Sequence, residues 1–281
     1  MDFENKLIPG VLIKRYKRFF VDIKLKDKVI TAHCPNPGSM LRLIKNGNTV
    51  WLTKSNNEKR KLKYTLQIIE VNNIKYCVNT HITNKIVQDS INKKLIDDLH
   101  EYNILKPEKK FGQNTRFDFL LSNFKKDKKA FLEVKSVSLS RRSRHAEFPD
   151  SVTSRGKKHL ESLITANKQG YETFLMFLIQ IEKCRSFAIA SDIDPEYFKV
   201  FKEALKKNIK VLCYDCKFSN KGIEINNKIK KKIENKESIY NLATDMKKSK
   251  FDSGQKLVVL EINQLPNYIK NNLDKYKQWL D

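Results

Sequence analysis

Three charged residues in two neighbouring segments have the types and the spacing of a metal-dependent site. Glu133 and Lys135 are two residues apart in the run Ala130–Leu139, and Asp118 lies in the preceding run Arg116–Leu121. Both runs are predicted to be strands, and side chains two apart on a strand point to the same face. Charges on an otherwise apolar strand face are costly unless they serve each other or a ligand.

The turn between the two runs predicts how they pair. The polar segment Ser122–Lys129 is predicted to be a hairpin loop, and symmetry about it places Leu121 opposite Ala130. Three pairs further back, Asp118 lies opposite Glu133, with Cβ atoms ~5 Å apart. Two carboxylates at that distance repel each other, and a divalent cation between them removes the penalty. Oxygen ligands from Asp and Glu suit Mg²⁺, completed by water and a phosphate oxygen.

Lys135 would stand beside that ion, where an ammonium holds an attacking water or stabilises charge developing on a phosphate. The candidate catalytic set is therefore Asp118, Glu133 and Lys135, with Asp118 and Glu133 as the metal ligands. Because a Glu-x-Lys tripeptide is common in a lysine-rich chain, the tripeptide alone indicates little. Glu108 is a further carboxylate or, preferably, a solvated charge. Gln180 orients water at the site or is a satisfied polar group of the core.

The charge balance favours a polyphosphate partner. The chain has 56 Lys and Arg against 32 Asp and Glu, a net charge of +24 over 281 residues. Each phosphate neutralised by a cation releases counterions, which drives binding. The alternative is a solvated lysine-rich surface. The candidate nucleic-acid-binding residues are Lys14, Arg15, Lys17, Arg18, Arg60, Lys61, Arg116, Arg155 and Lys158.

Aromatic residues accompany the first of these clusters. Tyr16, Phe19 and Phe20 are interleaved with its cations, the mixture that a stacking groove for single strands uses. The alternative places Phe19 in the core. Arg155 and Lys158 open a predicted helix whose free N–H groups favour phosphate. His159, which follows them, is interpreted as a packed, unreactive histidine.

The remaining composition points to a cytoplasmic protein without a membrane span. No apolar run approaches ~20 residues, and the first residues lack the features of a signal peptide. The five cysteines are an odd number, so reduced thiols are expected. Cys213 and Cys216 have CxxC spacing in a strand-like run without a second pair, which favours structural thiols over zinc.

The N-terminal third of the chain reads as short strands separated by turns. The predicted strands are Val11–Leu25, Val29–Ala32, Thr49–Thr53, Tyr64–Val71 and Ile74–Asn79. Five short strands in about 70 residues suit a small β-barrel of the OB type. We therefore predict an OB-like domain over residues 1–83.

The order of elements then changes to alternating helices and strands. Beyond the strands named above, we predict a helix at Lys85–Leu99, a helix at Ser154–Gln169, strands at Thr173–Ile181 and Arg185–Ala190, a helix at Pro195–Lys207 and a strand at Lys210–Tyr214. A nearly all-apolar strand such as Thr173–Ile181 must be covered on both faces, which predicts an α/β domain over residues 84–222. Residues 223–281 are predicted to be a lysine-rich, largely helical extension. Its predicted elements are a helix at Asn226–Lys236, a strand at Lys256–Ile262 and a helical spacing of Ile269, Leu273, Tyr276 and Leu280.

Several strings in a fixed order resemble one known family. They are Gly10–Phe20, His33–Leu41, Arg60–Tyr64, Arg116–Leu121, Glu133–Val137, Phe148–Thr153 and Arg155–Leu160. Together, over about residues 8–222, they resemble the bacterial sugar fermentation stimulation protein A family. The resemblance implies an OB-like domain followed by a PD-(D/E)xK nuclease-like domain, and the nuclease pattern falls on Asp118, Glu133 and Lys135. Phe117 replaces the usual proline before the aspartate, and Pro37 replaces a threonine in the loop that follows His33.

The resemblance also implies a function. Members of this family are described as binding DNA without sequence specificity and as regulators of maltose metabolism. The first functional hypothesis is therefore sequence-nonspecific binding of nucleic acid, DNA before RNA. The alternatives are a Mg²⁺-dependent endonuclease and an RNA-associated factor. The sequence gives no indication of the oligomeric state and no role for the His33-Cys34 loop.

Overall fold

A computed structural model describes residues 1–113 and 115–231. Its N-terminal part is a barrel followed by one additional strand. The six strands are β1 (Ile8–Tyr16), β2 (Phe20–Leu25), β3 (Lys28–His33), β4 (Thr49–Lys54), β5 (Tyr64–Val71) and β6 (Ile74–Cys77). The strands β3-β2-β1-β4-β5 are neighbours in that order, and a parallel pairing of His33 with Thr65 closes β5 onto β3. The barrel is five-stranded with OB topology, as predicted.

Two details of the barrel differ from the prediction. The predicted strand Val11–Leu25 is two strands, because Lys17 and Arg18 adopt left-handed φ values of 45° and 64° and reverse the chain. The predicted strand Ile74–Asn79 ends at Cys77 and lies outside the barrel, paired with β5. Charged residues with positive φ carry no sequence signature as clear as glycine, so the first turn escaped prediction.

The second part of the chain is α/β. Its elements are α1 (Thr83–Asn92), β7 (Ile104–Phe111), β8 (Thr115–Asn123), β9 (Lys128–Val137), β10 (Leu139–Arg142), β11 (His145–Phe148), α2 (Ser154–Lys168), β12 (Glu172–Ile179), β13 (Ser186–Ile189), α3 (Pro195–Lys206), β14 (Lys210–Phe218), β15 (Ile223–Lys228) and β16 (Lys230–Lys231). The predicted helix Lys85–Leu99 was wrong in its second half, which is a separate 3₁₀ turn at Asp97–Leu99.

A six-stranded sheet of order β15-β14-β12-β9-β8-β7 forms the centre of this part. The strand β12 pairs in parallel with both β9 and β14, and all but its first residue are buried. One face of the sheet packs against α2 and α3 and the other against α1. This burial on both faces explains why the strand reads as a continuous apolar run.

Five strands were missed or misassigned from sequence, namely β7, β10, β11, β15 and β16. The edge strand β7 is largely exposed and contains Pro107, so it lacks an apolar pattern. The short strands β10 and β11 form a second sheet with β13 and β16. Residues 223–228 are the strand β15 and not part of a helix, so the predicted helix Asn226–Lys236 is wrong over its first residues.

The remaining predictions for the extension, the strand Lys256–Ile262 and the helical spacing Ile269–Leu280, lie outside the described residues. The limits predicted for the three domains remain predictions. Within residues 1–113 and 115–231, no helix combines the length and apolar character needed to cross a bilayer.

The barrel and the α/β part share one hydrophobic core. A single cluster of buried side chains includes Leu12 and Val50 of the barrel together with Phe177 and Leu163 of the second part. The strand β6 continues the connection, since the Cys77 N–H donates to the Gln180 carbonyl at 2.8 Å. The barrel is therefore fixed relative to the sheet that carries the candidate catalytic residues.

A pair of loops also joins the two parts. The Ser39 hydroxyl donates to the Asp150 carbonyl at 2.8 Å, and the Met40 N–H donates to the Asp150 carboxylate at 3.3 Å. On the barrel side, the Arg15 guanidinium donates to the carbonyls of Asn36 at 2.7 Å and Gly38 at 3.0 Å. Asp150 leads into α2, so the barrel helps to place the helix that lies beside the site.

Candidate metal centre

The hairpin of β8 and β9 has the predicted register. Leu121 pairs with Ala130 and Phe119 with Leu132, where the ladder ends, one step before Asp118 and Glu133. The two carboxylates are nevertheless close enough for the charge of Glu133 to raise the pKa of Asp118. The strands extend further into the connection than expected, leaving a short turn at Phe124–Lys126. The predicted meeting of Asp118 and Glu133 follows from this register.

Asp118 is anchored to two neighbours. Its Oδ2 accepts the backbone N–H of Val134 at 2.7 Å, and its Oδ1 accepts the side-chain amide of Asn84 at 2.7 Å. Asn84 lies in the first turn of α1, so that helix helps to orient the carboxylate. Burial and the nearby carboxylate of Glu133 raise the pKa of Asp118, and the two hydrogen bonds oppose that rise only in part.

Glu133 is almost inaccessible to water, with an exposure of 3%. Its Oε1 accepts two hydrogen bonds, from the Lys135 ammonium at 2.6 Å and from the Nδ1 edge of His159 at 2.7 Å. Burial favours the neutral acid, but the Lys135 charge and the His159 hydrogen bond outweigh it and lower the pKa of Glu133. The second oxygen, Oε2, is buried without a hydrogen-bond partner among the described residues.

These residues fit a divalent cation with oxygen preference. A buried carboxylate oxygen without a partner is costly, and its neighbour Asp118 carries a second carboxylate that repels it. Within the described part of the chain, no group of three His, Cys, Asp or Glu side chains is arranged to hold a metal. The site has two protein carboxylates, Asp118 and Glu133, whose oxygen atoms are ligands of the type that hard divalent cations take.

His159 is a member of the site that sequence reasoning missed. The ring is buried, as predicted, but it contacts the carboxylate of Glu133 rather than only apolar side chains. It lies on α2 beside Leu160 and Leu163, which pack into the core. The cationic start of the helix pointed to phosphate, but only the packing of α2 on the sheet shows that His159 faces Glu133.

Three of the predicted nucleic-acid-binding residues border this site. Arg116, Arg155 and Lys158 line a cavity of about 480 Å³ together with Ser154 and His159. All three cations are exposed, and Arg116 pairs with the equally exposed Glu108 at 2.9 Å. Glu108 is thus a solvated charge, as preferred from the sequence. We call Arg116, Arg155 and Lys158 the basic rim.

The six cations predicted in the barrel are not part of this rim, and they have different environments. Arg15 is committed to the loop carbonyls described above, and Lys14 lies 3.9 Å from Asp22. Lys17 and Arg18 form the exposed β1–β2 turn, Lys61 is exposed, and Arg60 donates to the Thr65 hydroxyl at 2.8 Å. Their contact with nucleic acid remains a prediction.

The other candidate residues, Gln180, Cys213 and Cys216, are buried in the protein core. Gln180 is fully buried, and its side-chain carbonyl accepts from Thr83 at 2.9 Å and from Ser136 at 2.5 Å. Gln180 is therefore a core residue with its hydrogen bonds satisfied, which was one of the two roles considered from the sequence. Cys213 and Cys216 lie buried in β14, in agreement with the interpretation as structural cysteines.

Comparison with known proteins identifies relatives over most of the chain. Residues 13–79 match the SfsA N-terminal OB domain, and residues 81–222 match the sugar fermentation stimulation protein RE domain. A sugar fermentation stimulation protein homolog from Pelagibacter ubique is 48% identical over 82% of this chain and 98% of its own. A homolog with the same name from Roseobacter denitrificans is 40% identical over 80% of this chain and 97% of its own.

The fold is also found in a solved structure. The structure of Pyrococcus furiosus SfsA in complex with Ca²⁺ superimposes with a TM-score of 0.74, covering 83% of this chain and 98% of that one. The sequence identity is 23%, so the likeness concerns the fold.

Proposed function

Because the chain belongs to the sugar fermentation stimulation protein family, we propose that it binds DNA without sequence specificity, and that the basic rim is its main contact. The observation that carries the proposal is the position of Arg116, Arg155 and Lys158 around one cavity beside the carboxylate pair. A net charge of +24 adds a long-range attraction for a phosphate backbone. Regulation of sugar metabolism, described for the family, remains a prediction.

Contacts of this kind would recognise the backbone rather than the bases. Guanidinium and ammonium groups bind phosphate oxygens in any sequence, and these contacts position a duplex without reading it. The rim lies at the start of α2, where unpaired N–H groups and the helix dipole also favour an anion. Both features predict affinity that is similar for unrelated sequences.

A titration of labelled duplex DNA against salt tests the binding proposal. We expect the logarithm of the association constant to fall linearly with the logarithm of salt concentration, by about 0.9 for each phosphate contact. Lys158→Ala should weaken binding and reduce the slope by about one contact. Lys129→Ala removes an exposed lysine from β9 outside the rim and should leave both unchanged. Affinity that is independent of salt, or equal in the two variants, would contradict the proposal.

A second candidate function is hydrolysis of the phosphodiester bond with a divalent cation. It is favoured by one specific observation, the buried Glu133 with a free Oε2 beside Asp118 and the Lys135 ammonium. Asp118 and Glu133 would hold the ion, which on binding would lower the pKa of a water and neutralise charge on the phosphate. The relative from Pyrococcus furiosus was solved with Ca²⁺, an ion with the same preference for oxygen ligands.

The other residues of the site would each have a separate role in hydrolysis. Lys135 is held at Glu133, from where its ammonium can orient the attacking water or stabilise the developing charge. His159 fixes Glu133 from the other side, and the basic rim would hold the phosphates that flank the scissile bond. The site is thus preorganised by hydrogen bonds within the protein.

Plasmid nicking with and without Mg²⁺ tests the second candidate. We expect nicking that requires the metal and that disappears in Glu133→Gln and Lys135→Ala. Lys129→Ala, on the same strand, is the matched control and should nick as the wild type does. RNA of similar length is assayed in parallel, because the family likeness favours DNA without excluding an RNA-associated role. If the wild type leaves DNA and RNA intact with every divalent ion tried, hydrolysis is rejected and the binding proposal is judged on its own assay.

A further inference from the structure

A polar cleft lies beside the barrel, apart from the basic rim. It has a volume of about 640 Å³ and extends from the β4–β5 loop to the first turn of α1. Its floor contains Thr65, Gln67 and Asn79, which are buried polar residues. The Gln67 side chain donates to Thr53 at 2.9 Å and accepts from Asn79 at 2.8 Å, so the floor is a connected network. A satisfied polar floor of this kind holds its shape without a ligand.

Three rings follow one another along this side of the barrel. The Phe19 ring lies 6.5 Å from the His33 ring, and His33 lies 6.2 Å from His81. Phe19 is 41% exposed and His81 is also exposed. We call Phe19, His33 and His81 the ring row. His33, between them, is half-buried, and it lines the cleft together with His81, whereas Phe19 adjoins it. Aromatic rings at a protein surface are platforms on which bases stack.

The other aromatic residues of the first cluster do not join the row. Tyr16 and Phe20 stack on each other with centroids 5.7 Å apart, and the Tyr16 hydroxyl donates to Asp22 at 3.1 Å. The stacking groove expected from the sequence thus keeps Phe19 but replaces its two neighbours with histidines from β3 and the 3₁₀ turn at Thr80–Ile82. Burial, Arg60 and His81 lower the pKa of His33, which leaves a neutral ring at pH 7.

Cations stand along the same cleft. Arg60 is placed by its hydrogen bond to Thr65, the residue that pairs with His33, and no carboxylate lies within ion-pair distance of it among the described residues. Lys54 and Lys85 line the cleft as well. The acidic residues of the lining are Asp2 and Glu4, and Glu4 is 3.5 Å from Lys85 with both side chains exposed. Surface rings next to a guanidinium without a carboxylate partner suit a base and its phosphate.

The helix α1 takes part in both the cleft and the carboxylate site. Lys85 in its first turn lines the cleft. The preceding residue, Asn84, donates to the Asp118 carboxylate at 2.7 Å.

We propose that the cleft and the adjoining ring row bind a single-stranded segment of nucleic acid. The bases stack on Phe19, His33 and His81, and Arg60 holds a phosphate beside them. This inference rests on the proposed binding function and names its substrate class, a single strand or the single-stranded arm of a junction. The basic rim then contacts duplex backbone, and the cleft holds the separated strand.

Fluorescence anisotropy with an oligothymidylate of about twelve nucleotides tests the proposal, in metal-free buffer so that cleavage plays no part. The matched probe is a duplex of the same length. We expect the wild type to bind the single strand more tightly than the duplex. His33→Ala and His81→Ala should each weaken single-strand binding about ten-fold, the usual effect of losing one stacked base, and leave duplex binding within about two-fold.

Two further variants separate stacking from folding. His33→Phe and His81→Phe keep a flat ring and should retain single-strand affinity, which loss of structure would not allow. Phe124→Ala removes a ring that is 73% exposed in the β8–β9 turn and should have no effect. Alanine variants that bind the single strand as the wild type does would overturn the proposal. Wild-type protein that binds only duplex would overturn it while leaving the proposed function intact, and protein that binds neither probe would remove both.

Discussion

At the level of single residues, the carboxylate pair is arranged for binding rather than for stability. Glu133 is buried with one free oxygen, and Asp118 is partly buried next to it. Burial and the Glu133 carboxylate raise the pKa of Asp118, and Lys135 offsets only part of that rise. Glu133 differs, because Lys135 and His159 outweigh its burial and lower its pKa. Sites that store unfavourable charge of this kind are commonly those that bind a counter-ion.

Asp118→Asn is expected to stabilise the metal-free protein at neutral pH. A carboxyl group whose folded pKa is raised destabilises the fold once the pH is above its unfolded value, since the unfolded chain ionises more easily. We expect the variant to melt about 2 °C higher than wild type at pH 7 in a chelator, on the order of 1 kcal/mol. The difference should vanish as the pH falls below 3.8, where the group is protonated in both states.

The same melting curves report on the metal. Excess Mg²⁺ should raise the melting temperature of the wild type, because the ion binds only the folded state, and it should have little effect on Asp118→Asn. A wild type that is insensitive to Mg²⁺ and to Ca²⁺ would argue against the metal site whatever the nuclease assay shows.

Tyr197→Phe should also be stabilising. The Tyr197 side chain is fully buried, and its hydroxyl has no hydrogen-bond partner among the described residues. Removing a buried, unsatisfied hydroxyl at nearly constant shape is expected to increase the free energy of unfolding by about 1 kcal/mol. Urea denaturation of both proteins measures the difference, and a marked loss of stability would mean that the hydroxyl is satisfied by a buried water.

At the level of elements, the position of α2 depends on a loop of the barrel. Asp150 accepts from the Met40 N–H and precedes the α2 N-cap Thr153. The close approach is possible because residue 38 is a glycine: a Cβ there would lie 2.2 Å from the Asp150 carboxylate. Since α2 carries His159 and part of the basic rim, the barrel loop contributes to the geometry of the site.

Gly38→Ala is therefore expected to destabilise the protein by about 1–3 kcal/mol, as overpacked positions do. Asp150→Ala removes the side chain that clashes and costs its own hydrogen bond to Met40. In the double variant, the loss of unfolding free energy should be smaller than the sum of the losses in Gly38→Ala and Asp150→Ala, because the clash no longer exists. Strictly additive costs in urea denaturation would show that the two residues do not meet.

At the level of the whole molecule, the barrel and the α/β part are one cooperative body. One hydrophobic cluster contains side chains of both, and β6 hydrogen-bonds to the residues that follow β12. Neither part can open without exposing apolar surface that the other covers. The barrel, with the cleft beside it, is therefore held in place relative to the sheet that carries the carboxylate pair.

Thermal unfolding should accordingly show a single transition for the two parts. We expect the calorimetric enthalpy to equal the van't Hoff enthalpy within error, in contrast to two domains joined by a linker. The chain has two tryptophans, so Trp51 of the barrel is observed alone in a Trp279→Phe variant. Its fluorescence should follow the same curve as circular dichroism of that variant. Two separated transitions would show that the shared core contributes little.

Much of the fold could be predicted from the sequence, because strand alternation, hairpin symmetry and apolar periodicity are local signals. The Asp118, Glu133 and Lys135 set followed from the period-two alternation of a strand and from the symmetry of a short hairpin, both of which act over about 20 residues. The all-apolar pattern of β12 likewise predicted a sheet covered on both faces. The limits of β5, α2 and α3 were close to those predicted, because apolar periodicity and capping residues are local signals.

Contacts between distant segments were decided only by the tertiary structure. That His159 faces Glu133 depends on how α2 packs on the sheet, and 26 residues separate the two. The ring row combines residues from three segments that no periodicity connects, and the hydrogen bonds of Arg15 to the carbonyls of Asn36 and Gly38 had no sequence signal. A sequence pattern shows which face of a helix or strand is buried, but it does not show which other element covers that face. The hydrophobic effect has no preferred direction, so many pairings of elements satisfy the same pattern, and the choice among them depends on the whole chain.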